Sequence, residues 1–255
     1  LVSMTTPSDS RRVAVVTGAS AGIGEATART LAAQGFHVIC VARREGPITA
    51  LAAEIDGTAI VADVTDATAV AAMAGRLDRV DVLVNNAGGA RGLESVADAD
   101  VEHWRWMWEA NVLGTLHVTR ALLPKLIDSG DGLIITVTSI AAVETYDNGA
   151  GYTTAKHAQG VLHRTLRSEL LGKPVRLTEV APGMVKTDFS LRRFDGDSER
   201  AEKVYQGVTP LVAEDIAEVI GFVASRPSHV DLDLIVVRPR DQVGGAMGSR
   251  CNRTS

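Results

Sequence analysis

Short apolar runs recur along the chain, each ended by turn residues and followed by a longer segment of helical period. The first run, residues 12–17 (R-V-A-V-V-T), suits a strand buried on both faces. A glycine-rich turn at 18–24 leads into a helical pattern at 25–34 that Gly35 closes. Further strands are predicted at 36–42, 58–62, 80–84, 132–139, 175–180 and 232–237. Helices are predicted at 51–56, 67–77, from about 100 through Asn111 to 125, at 150–171 and at 213–225. Residues 187–207 are polar and charged, with no clear core period. Strand and helix alternate throughout, which predicts an α/β fold: a parallel sheet covered on both faces and, with right-handed crossovers, doubly wound. No repeat or break in composition divides the chain. One domain is expected over 12–243, with a lid at about 187–210, a flexible N-terminal segment at 1–11 and a flexible tail at 244–255.

Composition narrows the partners. A net charge of −5 supplies no basic field for nucleic acid or an anionic membrane. No apolar run approaches the roughly 18 residues needed to span a bilayer. The first ten residues lack the charged and apolar regions of a secretory signal. Cys40 lies in an apolar strand and Cys251 in the polar tail, so they are not expected to pair, which fits a reducing cytoplasm. None of the histidines has metal-ligand spacing, and no metal is expected.

Candidate chemistry centres on Tyr152 and Lys156. Four residues apart on a helix, they share a face. A cation beside a phenol favours the phenolate, so such a pair can exchange a proton with an alcohol oxygen. Gly18, Gly22 and Gly24, between a strand and a helix, let backbone approach a pyrophosphate at the helix N-terminus. At the end of the second strand, where an acid would accept from NAD ribose, stand Arg43 and Arg44; guanidinium groups there favour the 2′-phosphate of NADP(H). The alternative is a pair of solvated arginines. Asp63 ends the third strand and suits an adenine amine or a turn; Asn85-Asn86-Ala87-Gly88 ends the fourth. Ser139 ends the fifth strand, where its hydroxyl suits a substrate carbonyl or a helix cap. Asn111 is disfavoured inside a helix, which suggests a polar duty.

Thr17-Gly18-Ala19-Ser20-Ala21-Gly22-Ile23-Gly24, Asn85-Asn86-Ala87-Gly88, Asn111, Ser139, Tyr152-x-x-x-Lys156 and Pro182-Gly183 together resemble the short-chain dehydrogenase/reductase family, over nearly the whole chain. The resemblance implies a Rossmann fold and a tetrad of Asn111, Ser139, Tyr152 and Lys156. Tyr152 would be the acid/base and Ser139 would orient the carbonyl. Lys156 would lower the tyrosine pKa and bind the nicotinamide ribose, and Asn111 would hold a water linking Lys156 to solvent. The implied NADP(H) contacts are Gly18, Ser20, Ala21, Gly22, Ile23, Gly24, Arg43, Arg44, Asp63, Val64, Asn85, Ala87, Gly88, Tyr152, Lys156, Pro182, Gly183, Val185 and Thr187.

Residues 182–206 are similar to NADP-dependent 3-hydroxy acid (serine-type) dehydrogenases, whereas Arg238-Pro239-Arg240-Asp241-Gln242 resembles reductases of small aldehydes. The expected substrate is a small alcohol or carbonyl compound held by Ser139 and Tyr152. Arg193 is a candidate carboxylate clamp or, equally, a solvated charge. The rival readings are a 3-oxoacyl-thioester reductase and a non-catalytic dinucleotide-binding sensor or scaffold. Trp104 shares a face with Met107 and Asn111 and reads as core; an exposed tryptophan on that helix suggests a subunit contact, and the resemblance implies a homotetramer or homodimer.

Overall fold

The computed structural model describes residues 11–244; the N-terminal residues 1–10, the tail beyond Gly244 and Cys251 lie outside it. In chain order the elements are β1 (Val13–Thr17), α1 (Gly22–Ala33), β2 (His37–Ala42), α2 (Glu45–Glu54), β3 (Thr58–Val61), α3 (Ala67–Ala74), β4 (Val82–Asn85), α4 (Val101–Trp108) and α5 (Gly114–Asp128). They continue as β5 (Gly132–Val137), α6 (Ala150–Glu169), β6 (Val175–Pro182), α7 (Phe189–Arg193), α8 (Ser198–Lys203), α9 (Ala213–Ala224) and β7 (Leu234–Val237).

The seven strands form one parallel sheet in the order β3-β2-β1-β4-β5-β6-β7. The order reverses between β1 and β4, which opens a crevice at the carboxyl ends of those strands. Alternation along β1 feeds two cores: Ala14 and Val16 pack on one face with Leu31, Ile216 and Ile220, while Val15 packs on the other with Met73, Leu122 and Leu126. Each fully buried Leu or Ile contributes about 1.5–3 kcal/mol. The start of β1 is pinned by buried Asp81, which accepts from the Val13 amide at 2.7 Å and from the Arg79 guanidinium.

The helix expected from about 100 to 125 is not uniform. It widens into a π-helical turn at Glu109–Leu113, between α4 and α5. A π turn leaves a carbonyl of the preceding turn without its usual amide partner. Here the Asn111 side chain donates to the Met107 carbonyl at 2.7 Å. That bond gives mid-helix Asn111 its local reason. Residues 187–207 are also not structureless: they hold α7 and α8, too short to print a period on the sequence.

Candidate active site

The crevice is a cleft of about 780 Å³. The loop after β1 forms one wall. Gly18 has φ +68°, a left-handed conformation that glycine adopts without strain. Gly24 lies so close beneath it that a Cβ would stand 2.3 Å from the Gly18 carbonyl oxygen and 2.5 Å from Asn86 Nδ2. Gly24→Ala is therefore expected to cost about 1–3 kcal/mol of stability, read as a lower urea midpoint at unchanged slope. Ala21, just before α1, has no side-chain acceptor to offer the first amides of that helix, so they stay available to an anion. Ser20, Ala21, Gly22 and Ile23 line the cleft.

Beside this loop, Arg44 donates to the Ser20 carbonyl at 3.0 Å and to its hydroxyl at 3.1 Å. Arg43 lies 3.7 Å from the Asp63 carboxylate. The other Asp63 oxygen accepts from the Thr65 amide and hydroxyl. Asp63 thus serves as a turn residue and also lines the cleft, next to Val64.

Past the fourth strand, Ala87 and Gly88 line the cleft and Asn85 does not. Asn85 is buried and donates to Thr119 at 2.9 Å. Its neighbour Asn86 faces the opposite side, donates to the Thr17 carbonyl and takes the cleft position expected of Asn85. Gly24 and Asn111 also stand behind the lining. Asn111 braces it: its side-chain Oδ1 accepts from the Gly89 amide and its Nδ2 donates to the Gly89 carbonyl. Pro182, Gly183, Val185 and Thr187 close the far side. The Met184 amide there donates to Gln242 Oε1 at 2.9 Å, and buried Gln242 anchors the C-terminal segment on this loop.

Ser139, Tyr152 and Lys156 meet in the same cleft. Ser139 caps the short turn at Ile140–Ala142 by accepting from the Ala141 amide at 3.1 Å; its own proton is offered to the Pro182 carbonyl, long at 3.5 Å, or to the Tyr152 oxygen. Its oxygen is fixed while its proton can turn to another acceptor. Burial pushes the Tyr152 phenol up from its ordinary value, and Tyr146 adds to this; the Ser139 hydrogen bond and the Arg193 guanidinium pull it back. Burial also lowers Lys156 to about 7, against the opposing effect of Glu179. The Lys156 ammonium lies 5.8 Å from the Tyr152 ring centre and donates to Gln159 at 2.8 Å.

Arg193 is not a solvated charge. It lines the cleft, donates through Nε to the Gly92 carbonyl at 2.7 Å and through Nη1 to the Tyr146 hydroxyl at 3.3 Å, and lies 5.8 Å from the Tyr152 ring centre. Arg192 also lines the cleft, where it pairs with Asp188 at 3.6 Å. Phe189 packs at 5.7 Å from Tyr152, and Arg91 stacks at 4.5 Å over Trp106, which also lines the cleft. The sequence assigns no site role to Tyr146, Phe189, Arg91, Trp106, Gln159 or Gln242. Only Gln159 left a signal, as a polar residue on the same helix stripe as Tyr152 and Lys156. Trp104 packs half-buried against the small core around Met107 and Tyr152, and Trp108 is the exposed tryptophan of α4.

The chain matches the short chain dehydrogenase family over residues 12–197. The uncharacterized oxidoreductase Rv0484c of Mycobacterium tuberculosis is 77% identical over 243 residues, spanning 95% of this chain and 97% of the relative. Serine 3-dehydrogenase of Agrobacterium fabrum is 38% identical over 234 residues, spanning 89% of this chain and 94% of the relative. Among solved structures, the closed form of serine dehydrogenase complexed with NADP+ superimposes with a TM-score of 0.89 at 35% identity, covering 93% of this chain and 99% of that one. With the parallel sheet and the cleft at its switch point, these matches make the chain a member of the short chain dehydrogenase family.

Proposed function

We propose that the protein is an NADP(H)-dependent oxidoreductase that interconverts a small 3-hydroxy acid, of the serine type, and its carbonyl product, with Tyr152 as the acid/base. The observation that carries this reading is the single cleft in which a glycine loop and two arginines stand beside Ser139, Tyr152 and Lys156. The cleft fits a dinucleotide phosphate: bare backbone at 18–24, open amides at the start of α1, and Arg44 anchored on Ser20 at the loop's rim. Bound there, NADP(H) would supply or accept the hydride.

The chain's own residues do the rest. In the reducing direction the Tyr152 phenol gives its proton to the carbonyl oxygen as that oxygen gains charge. Ser139 turns its hydroxyl onto the same oxygen and stabilises the charge. In the oxidising direction Tyr152 takes the alcohol proton as a phenolate; Ser139 and Arg193 offset part of the burial that disfavours that form, and the Lys156 cation adds to them. Arg193, beside the reacting phenol, suits a substrate carboxylate, and serine, the compound named in the serine 3-dehydrogenase relative, carries such a group.

Absorbance at the NADPH band, with L-serine, other 3-hydroxy acids, small aldehydes and 3-oxoacyl thioesters, tests the reading. Turnover of the 3-hydroxy acids is expected, and no turnover with any of these refutes an enzyme of this kind. Arg193→Met is expected to raise KM for L-serine about ten- to a hundredfold, the value of one or two charge-assisted hydrogen bonds, and to change KM for a neutral aldehyde far less. Equal rises for both would remove Arg193 from carboxylate recognition.

Among the described residues no helix is long and apolar enough to cross a membrane. The same reading has the enzyme act in the cytoplasm as a homotetramer or homodimer, and exposed Trp108, Leu116 and Val161 on α4, α5 and α6 supply apolar surface for a second copy.

A further inference from the structure

Helix α6 turns a polar stripe inward: Tyr152, Lys156, Gln159 and His163 are all buried. Gln159 is 0% exposed, yet the proposed chemistry does not use it. Its Oε1 accepts from Lys156 Nζ at 2.8 Å, and its Nε2 donates to Thr115 Oγ1 at 2.8 Å. Thr115 in turn donates to the main-chain carbonyl of Asn111 at 2.8 Å. The three hydrogen bonds of this series have one possible polarity. Thr115 has given its single proton to Asn111, so it can only accept from Gln159. The amide must then present its oxygen to Lys156, because an NH₂ facing an ammonium would oppose donor to donor. A buried amide satisfied at both ends in this way has a fixed orientation.

We propose that Gln159 is a positioning residue for the reaction: seated on Thr115, its amide oxygen holds the Lys156 ammonium in place beside Tyr152 and keeps it protonated. This inference rests on the reading of Tyr152 and Lys156 as the reacting pair. The charged and titratable groups around them are Glu179 on β6, bound by Thr138 and Arg164, and Arg193 on α7 with Tyr146, which face Tyr152. Burial opposes the ammonium and Glu179 favours it, which lowers Lys156 to about 7. Two acceptors at hydrogen-bond distance then favour the charged lysine, the Val137 carbonyl at 3.3 Å and, closer, Gln159 Oε1 at 2.8 Å. The series holds charge and geometry but passes no proton, since the amide hydrogens of Gln159 sit on nitrogen and its contact with Lys156 is through oxygen.

The test is carbon-13 labelling of lysine Cε in the full chain. The Lys156 resonance is assigned by its loss in Lys156→Met, and its midpoint is followed against pH. Gln159→Met keeps the length of the side chain and removes the amide. Its Lys156 midpoint is expected to fall by about one pH unit or more. Thr115→Val, which takes away the acceptor that orients Gln159, lowers the midpoint by less, and Thr115→Ser, which keeps the hydroxyl, returns it to the wild-type position. A wild-type midpoint in folded Gln159→Met overturns the proposal. Should that variant not fold, equal midpoints in Thr115→Val and Thr115→Ser overturn it instead. The pH profile of NADP+-dependent L-serine oxidation is read alongside, and in Gln159→Met its rise moves to higher pH because a neutral Lys156 no longer favours the phenolate. Absence of turnover in the wild type counts against the dehydrogenase reading, whereas an unmoved lysine midpoint counts against Gln159.

Discussion

Tyr152→Phe is expected to lower kcat by about 10²–10⁴-fold, the range that a positioned acid/base contributes, while NADPH still binds. The substitution removes one oxygen and leaves the ring. The ring packs with Phe189 and lies under Arg193, so the pocket keeps its shape. The proton relay to the substrate oxygen is lost, and neither Ser139 nor Lys156 replaces it: one is fixed by the Ala141 amide and the other is tied to Gln159. The glycine loop and Arg44, proposed to hold the nucleotide, belong to other elements of the cleft. Stopped-flow single turnover and a fluorescence titration with NADPH on the same preparation separate the two effects. A near-normal rate would remove Tyr152 from the chemistry, and loss of NADPH binding would mean that it holds the nucleotide instead.

The second large effect concerns cofactor choice. The double variant Arg43→Ala with Arg44→Ala is expected to weaken NADPH binding about a hundredfold and NADH binding far less. Each arginine offers charge-assisted bonds to a 2′-phosphate that NADH lacks. Arg44 is held on Ser20 by two hydrogen bonds, so its guanidinium is already oriented at the rim of the loop. Arg43 is held by Asp63, and its removal leaves that carboxylate unbalanced at the same rim. An acid there repels a 2′-phosphate and accepts from a ribose hydroxyl, which widens the difference. Calorimetric titration with both cofactors measures it, and equal losses would place the 2′-phosphate elsewhere.

The sheet and most of the cleft were legible because each of their signals is local. A buried strand prints a continuous apolar run, and a strand end followed by Gly, Asn or Ser marks where the crevice must lie. What could not be read depends on distant chain segments meeting. Asn85 and Asn86 are adjacent and chemically identical, and only the phase of β4 at its last residue decides which one enters the cleft. Tyr146 and Gly92 become partners of Arg193 through loops that no period orders. Arg193 could have been solvent-facing from its sequence neighbours alone. Arg192, next to it, pairs with Asp188 rather than with Tyr146 and Gly92. Gln242 reaches Met184 from 58 residues away.

The π turn at Glu109–Leu113 also sets the rotational phase of one helix against the next. Each residue of an α-helix advances about 100°, so a turn that holds an extra residue re-aims everything before it relative to everything after it. α5 is locked to the sheet by Val118, Leu122 and Leu126. α4, on the other side of the turn, presents Met107 to the small core and Trp106 to the mouth of the cleft. The extra residue of this turn therefore sets that Trp106 borders the cleft, while the helix that carries the sheet's packing keeps its own phase.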